Sequence, residues 1–158
     1  MRIGQGLDLH PLVQGRPLWV GGVLIPFDRG LSGDSDGDVL LHAVIDALLG
    51  AAGLGDIGTR FPPGSVAPGQ ASRPLLEAVA AEVRAAGYHV VNLDATVVAQ
   101  APRLGPYRAA MQAVLADVLG TAAVAVKFKT ADRLGVLGAE AGIAATAVVL
   151  LEESAARR

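Results

Sequence analysis

Val39 to Leu49 reads VLLHAVIDALL, a segment so apolar that most of its surface must be buried. Asp38, His42 and Asp46 interrupt it at intervals of four, and residues four apart share one helix face. A helix over Gly37–Leu49 is predicted, capped by Ser35 or Asp36, with Asp38 three residues after Ser35 in a capping-box position. A polar stripe on such a helix needs partners, because burying a lone carboxylate is expensive. Two arrangements satisfy it. Either Asp38 caps the helix and His42 pairs with Asp46 in the core, or His42 belongs to a site built with other segments.

A second polar pair lies near the start. In RIGQGLDLH, alternation puts Asp8 and His10 on one side of a predicted first strand. With His42 they supply two imidazoles and one carboxylate, a donor set suited to Zn²⁺ with its fourth position open to a substrate oxygen. Asp46, one turn from His42, is placed to hold the other imidazole nitrogen. His89, the third of three histidines, is read as a surface residue. Asp34, Asp36 and Asp38 imitate the opening of a calcium loop. That reading fails, because Val39 stands where the loop needs glycine and Ile45 where it needs glutamate. Asp36 and Asp38 are then read as first-turn acids favoured by the helix dipole.

The rest of the chain supplies a mixed fold. An N-terminal strand is followed by a short hairpin over Pro17–Pro26, broken at Gly21-Gly22. After the apolar helix comes a Gly/Pro-rich loop, Gly53–Ser72, and a second helix from Arg73 to its stop at Gly87, capped by Ser72. A strand with alternating polar residues Asn92, Asp94 and Thr96, a helix ending at Gly120, and strands over 123–130 and 143–153 complete it. No linker or repeat divides the chain, so residues 1–158 are expected to form a single α/β (α+β) domain with helices on one sheet face. The chain has no cysteine, which excludes disulfides, thiolate metal sites and a cysteine nucleophile. Its formal net charge of -2 leaves no basic surface for nucleic acid. No apolar run is long enough for a membrane span and no apolar leader opens the chain, so a cytoplasmic protein without membrane contact is expected. The 52% hydrophobic content is read as extra buried surface between subunits.

These residues together resemble a known family. GLDLH near the start, GG…IP, SDGDVLLHAVIDALLGAAGLGDIGTRFP from Ser35 to Pro62, AQAPR, and the KT…LG loop are similar to the 2-C-methyl-D-erythritol 2,4-cyclodiphosphate synthases of non-mevalonate isoprenoid (terpenoid) biosynthesis. The resemblance implies a homotrimer. Each subunit would have a four-stranded mixed sheet, helices on its outer face, and active sites lying between subunits. It implies a lyase that converts 4-diphosphocytidyl-2-C-methyl-D-erythritol 2-phosphate to the 2,4-cyclodiphosphate with release of CMP. The 2-phosphate attacks the β-phosphate, and catalysis rests on positioning and charge neutralisation. Zn²⁺, one per subunit, carries over onto Asp8, His10 and His42. Mg²⁺ or Mn²⁺ would bridge the diphosphate, with Asp132 at the position of the family's metal-binding glutamate. Catalytic positions fall on Asp34 and Thr130. Substrate positions fall on Asp8, Leu9, His10, Asp34 and Ser35, then Asp56, Ile57, Gly58 and the run Phe61, Pro62, Pro63, Gly64, Ser65. The cytosine pocket falls on Ala99, Gln100, Ala101, Pro102, Arg103, Leu104 and Gly105. Phosphate contacts fall on Lys129, Thr130, Ala131, Asp132, Val136 and Ala139.

The chain departs from that pattern around the phosphates. Asp34 stands where the family has histidine, Pro63-Gly64-Ser65 replaces an acidic stretch, Arg103 replaces lysine, Asp132 replaces glutamate, and Ala139 replaces arginine. Either Lys127, Lys129 or Arg133 substitutes for the lost cation, or activity is reduced or the substrate shifted. Two other readings stay open: a non-catalytic trimer that binds metal and nucleotide, and a metal-dependent phosphohydrolase in which bound water attacks.

Overall fold

In this computed structural model, residues 1–154 are described. Strand β1 (Arg2–Gln14) alternates strictly over its first half: Gly4 and Gly6 face inward, and Ile3, Gln5 and Leu7 face outward. The apolar segment forms α1 (Val39–Ala52), which lies directly on β1. Gly4 and Gly6 make that approach feasible. A Cβ built on either would fall 1.9 Å from a helix carbonyl oxygen, that of Ala47 or Ala43. The same inward face of β1 continues two and four residues later as Asp8 and His10. The two glycines therefore seat the helix, and the next two inward positions carry the polar pair beside its N-terminal turn.

The five-stranded sheet has the order β4-β1-β7-β5-β6. Here β4 is Arg29–Leu31, β5 Tyr88–Val98, β6 Val124–Lys129 and β7 Gly142–Glu153. Only β5 and β6 are parallel, and the other pairs are antiparallel. The mixed α+β sheet is as expected, but with five strands rather than four. The additional strand, β4, is three residues long and pairs with the far end of β1 at Leu12–Gln14, a stretch where β1 outruns its predicted limit. Strands β2 (Leu18–Val20) and β3 (Val23–Ile25) form the expected hairpin. Its Gly21-Gly22 turn has φ of 62° and 73°, the doubly left-handed geometry of a tight two-residue hairpin.

Helices α3 (Arg73–Ala85) and α4 (Arg108–Leu119) join α1 over the inner sheet face. Two four-residue helices, α2 (Ile57–Arg60) and α5 (Gly135–Gly138), sit inside segments expected to be loops. Around α1, the nine residues from Val39 to Leu49 other than His42 and Asp46 are expected in the core, and Val39, Leu40, Leu41, Ala43, Val44, Ile45, Ala47, Leu48 and Leu49 are all at 0% exposure. The outer sheet face is uncovered, with Ile3, Leu7, Leu9 and Val148 exposed on it. No helix among the described residues is long and apolar enough to cross a membrane.

Helix α1 begins later than predicted. Its cap is Asp38, not Ser35 or Asp36, and Asp38 Oδ1 accepts from Leu41 N at 3.0 Å. The same buried carboxylate accepts from Gly21 N at 2.8 Å and Gly22 N at 2.7 Å. It thus fastens the β2–β3 turn to the start of the helix, and leaves the stripe that His42 and Asp46 share. Replacing Gly6 with Ala would force α1 off β1. Unfolding in urea should show a loss of about 3 kcal/mol or more, at the upper end of overpacking effects.

Candidate metal centre

Three parts of the architecture meet at the site: the inward face of β1, the first turn of α1 and the loop before it. Asp8 Oδ2 lies 3.0 Å from His10 Nε2 and 3.1 Å from His42 Nδ1. The two imidazole nitrogens are 3.3 Å apart. A tetrahedral ion with bonds of about 2.0–2.1 Å has ligand–ligand edges of about 3.3–3.4 Å. The triangle of donors nearly matches one face of such a tetrahedron, so these residues fit Zn²⁺ in both chemistry and spacing. Among the described residues they are the one group of His, Asp and Glu side chains with this convergence.

Charge reinforces the geometry. Burial pushes the Asp8 carboxyl upward, but its bonds to His10 and His42 outweigh that and hold it well below the usual carboxylate range. The bond to Asp8 raises His10 above the ordinary imidazole value, against the opposing effect of burial. His10 Nδ1 is 2.5 Å from the Ser32 carbonyl oxygen. That oxygen can only accept, so Nδ1 carries a hydrogen; Nε2 donates to Asp8 in the absence of metal and would offer its lone pair to an ion that displaced that hydrogen.

His42 is held differently from expectation. Its Nε2 is 2.8 Å from Ser72 Oγ and 3.1 Å from Ser35 Oγ. Asp46 does not hold the imidazole. Its Oδ1 accepts from Ile57 N at 2.7 Å, which ties α1 to α2, and burial raises its pKa. Ser72 likewise makes no capping bond to α3. Its hydroxyl is 2.5 Å from Asp36 Oδ1, so Asp36 serves the Ser72 side chain rather than simply facing the α1 dipole. Ser72 escaped notice because a serine before a helix carries an equally good local explanation, the cap.

A cavity of about 240 Å³ opens over the trio. Asp34, Ser35, Ile57, Gly58, Phe61 and Pro62 line it with Asp8, His10 and His42. Gly64 instead joins Asp34 in a neighbouring cavity of about 590 Å³ with Arg16 and Trp19. Asp56 is exposed and caps α2 through Thr59 N at 2.7 Å. Leu9 lies on the outer sheet face, 60% exposed, away from the side that Asp8 and His10 share.

A second cavity, about 380 Å³, is lined by Ala99, Gln100, Pro102, Arg103, Leu104, Gly105, Lys129 and Thr130 among others. It shares no lining residue with the first. The AQAPR loop and the KT segment therefore do converge, but apart from the metal trio within one chain. Thr130 Oγ1 donates to Asp132 Oδ1 at 2.7 Å, and Asp132 joins no metal-type cluster among the described residues. Val136 is exposed, and Ala139 lines a shallow pocket with Gln100, Arg133 and Glu140. Lys127 pairs with Asp94 at 2.6 Å across β5 and β6 and lines neither cavity. Arg133 lies outside both cavities, which leaves Lys129 and Arg103 as the cations facing the second.

Known proteins share this arrangement of chain. A 2-C-methyl-D-erythritol 2,4-cyclodiphosphate synthase of Laribacter hongkongensis is 57% identical over 155 residues, covering 96% of each chain. The solved bifunctional IspDF of Campylobacter jejuni superposes with a TM-score of 0.91 at 39% identity over 96% of this chain, which spans 42% of that longer protein. Plasmodium falciparum IspF, solved as a CDP complex, matches with a TM-score of 0.85 at 33% identity over 97% of this chain and 96% of its own. The YgbB family matches residues 1–152, and the chain belongs to that family.

Proposed function

We propose that this protein is a 2-C-methyl-D-erythritol 2,4-cyclodiphosphate synthase, a CMP-forming lyase of the non-mevalonate isoprenoid route. The observation that carries the reading is the Asp8, His10 and His42 triangle, with edges of 3.0–3.3 Å, at the floor of a cavity. Relatives that are 57–60% identical over nearly their whole length bear that enzyme's name. The substrate is 4-diphosphocytidyl-2-C-methyl-D-erythritol 2-phosphate. An oxygen of its 2-phosphate attacks the β-phosphorus, the bond to the α-phosphate oxygen breaks, and CMP leaves with the cyclic diphosphate behind. The nucleophile is already anionic, so the protein's work is orientation and the exclusion of competing water.

Asp8, His10 and His42 would hold Zn²⁺, which when bound polarises the phosphoryl oxygen it contacts. Asp34, Ser35, Ile57, Gly58, Phe61 and Pro62 wall the methylerythritol end, and Asp56 sets the shape of that wall by capping α2. Ala99–Gly105 offer backbone groups and the Arg103 cation to the cytidine end. Thr130 and Asp132 stand ready for the diphosphate and for a second, oxygen-loving ion, Mg²⁺ or Mn²⁺. Because the two cavities are separate in one chain, we assign each complete site to two neighbouring copies of a homotrimer. The apolar outer sheet face, with Ile3, Leu7, Leu9 and Val148 exposed, supports that assembly. A cytoplasmic location fits a phosphorylated substrate.

Incubating the protein with the phosphorylated cytidyl substrate, Zn²⁺ and Mg²⁺ should release CMP and the cyclic diphosphate. A linear product would make it a phosphohydrolase, and nucleotide binding without CMP release a non-catalytic trimer. His42→Ala should remove bound zinc, read by elemental analysis, and abolish CMP release while the circular dichroism of the fold persists. Asp46→Asn should leave zinc affinity close to that of the unsubstituted protein, well short of the roughly 10–100-fold loss typical when a ligand's supporting partner is removed.

A further inference from the structure

His42 Nε2, the nitrogen turned away from the triangle, meets a buried chain of polar groups. Ser72, at 0% exposure, has its Oγ 2.8 Å from that nitrogen and 2.5 Å from Asp36 Oδ1. The Asp36 carboxylate is fixed in turn: Oδ2 accepts from Ser72 N at 2.9 Å and Oδ1 from Asp38 N at 3.1 Å. The pieces come from three separate segments, the loop before α1, α1 itself and the start of α3.

Hydrogen counting gives the chain a direction. A hydroxyl has one hydrogen, and an ionised carboxylate can only accept. The short contact to Asp36 therefore takes the Ser72 hydrogen. Toward His42, Ser72 Oγ is left with lone pairs, so His42 Nε2 must bring the hydrogen. Ser35 Oγ, 3.1 Å from the same nitrogen, accepts from Gly37 N at 3.3 Å and lies 3.3 Å from Ser72 Oγ, whose free lone pair takes the Ser35 hydrogen and leaves a Ser35 lone pair toward His42. The reverse polarity would leave the half-buried Asp36 oxygen 2.5 Å from a hydroxyl that gives it no hydrogen, an unfavourable arrangement.

We propose that Asp36 and Ser72 form a directional hydrogen-bond chain, from His42 Nε2–H to Ser72 to Asp36, that aims the bare Nδ1 of His42 at the metal. Both are positioning residues. Ser72 sets which imidazole nitrogen carries the hydrogen, and Asp36 sets which way Ser72 points. His10 reaches the same end through the Ser32 carbonyl, so each imidazole of the trio has its outer nitrogen committed to an acceptor. This rests on the reading of the trio as a metal centre, and its consequence is specific: removing Asp36, which touches neither imidazole, should weaken the metal site through Ser72.

The test uses the full chain with ¹⁵N-labelled histidine. Zinc affinity, measured by competition with a chelator, should fall about 10–100-fold in Ser72→Ala. Asp36→Ala should fall comparably and Asp36→Asn, which keeps an acceptor oxygen, should fall less. In the zinc-loaded protein the His42 Nε2–H signal should be resolved and slow to exchange with water, and it should broaden or vanish in Ser72→Ala. Zinc affinity unchanged in both alanine variants, or Nε2–H exchange unaffected in Ser72→Ala, would overturn the chain. The zinc-loaded spectrum of the unsubstituted protein is a check that needs no variant. An Nε2 without hydrogen there overturns the chain alone, whereas failure of the unsubstituted protein to bind zinc would count against the metal centre itself.

Discussion

The contact between the backbones of β1 and α1 governs the rest of the molecule. Strand and helix approach so closely at Gly4 and Gly6 that a single Cβ at either position would collide with a helix carbonyl. That closeness lets an apolar helix bury its flank against the central strands without large side chains between them. It also sets the distance between the start of α1 and the next inward residues of β1. Asp8, His10 and His42 converge because two residues before them have no side chain.

The polar groups of α1 each solve a different problem, although their spacing suggests a common one. Asp38 stops the helix and grips the two backbone N–H groups of the Gly21-Gly22 turn. His42 reaches β1 with one nitrogen and the Ser35/Ser72 pair with the other. Asp46 fastens Ile57 and with it the short helix that walls the cavity. Three polar residues thus tether one buried rod to several separate segments. Their loss would leave unpaired donors and acceptors inside the protein, which is why so greasy a helix can carry them.

Much of this was legible in the residues themselves. The period-two pattern of RIGQGLDLH places Asp8 with His10, and the family resemblance of the Ser35–Pro62 block points to the same trio as the ligand chemistry. What escaped is of two kinds. Elements of three or four residues, β4, α2 and α5, are too short to show a period, so α2 and α5 lie in segments that read as loop and β4 in one that carries no assignment. Partners of polar side chains were misassigned where a local explanation competed with a distant one. Ser72 reads as a cap and Asp46 as a neighbour of His42, since residues one turn apart meet on a helix. The true partners lie 30 and 11 residues away in sequence. Separation of that kind is fixed by tertiary packing, which no local pattern encodes.

The loop that carries Asp34 is moored by its main chain. Arg16 holds the carbonyls of Gly33 and Ser35, the Asp34 carbonyl accepts from Gly69 N at 2.9 Å, and Asp36 N donates to the Gln70 carbonyl at 2.9 Å. None of these bonds involves the Asp34 side chain, which stands exposed at the edge of two cavities. Identity at this one position is therefore free to vary while the loop keeps its shape and the ligand triangle stays put. The chemistry offered to an incoming anion can be retuned in evolution without disturbing the three side chains that converge beneath it.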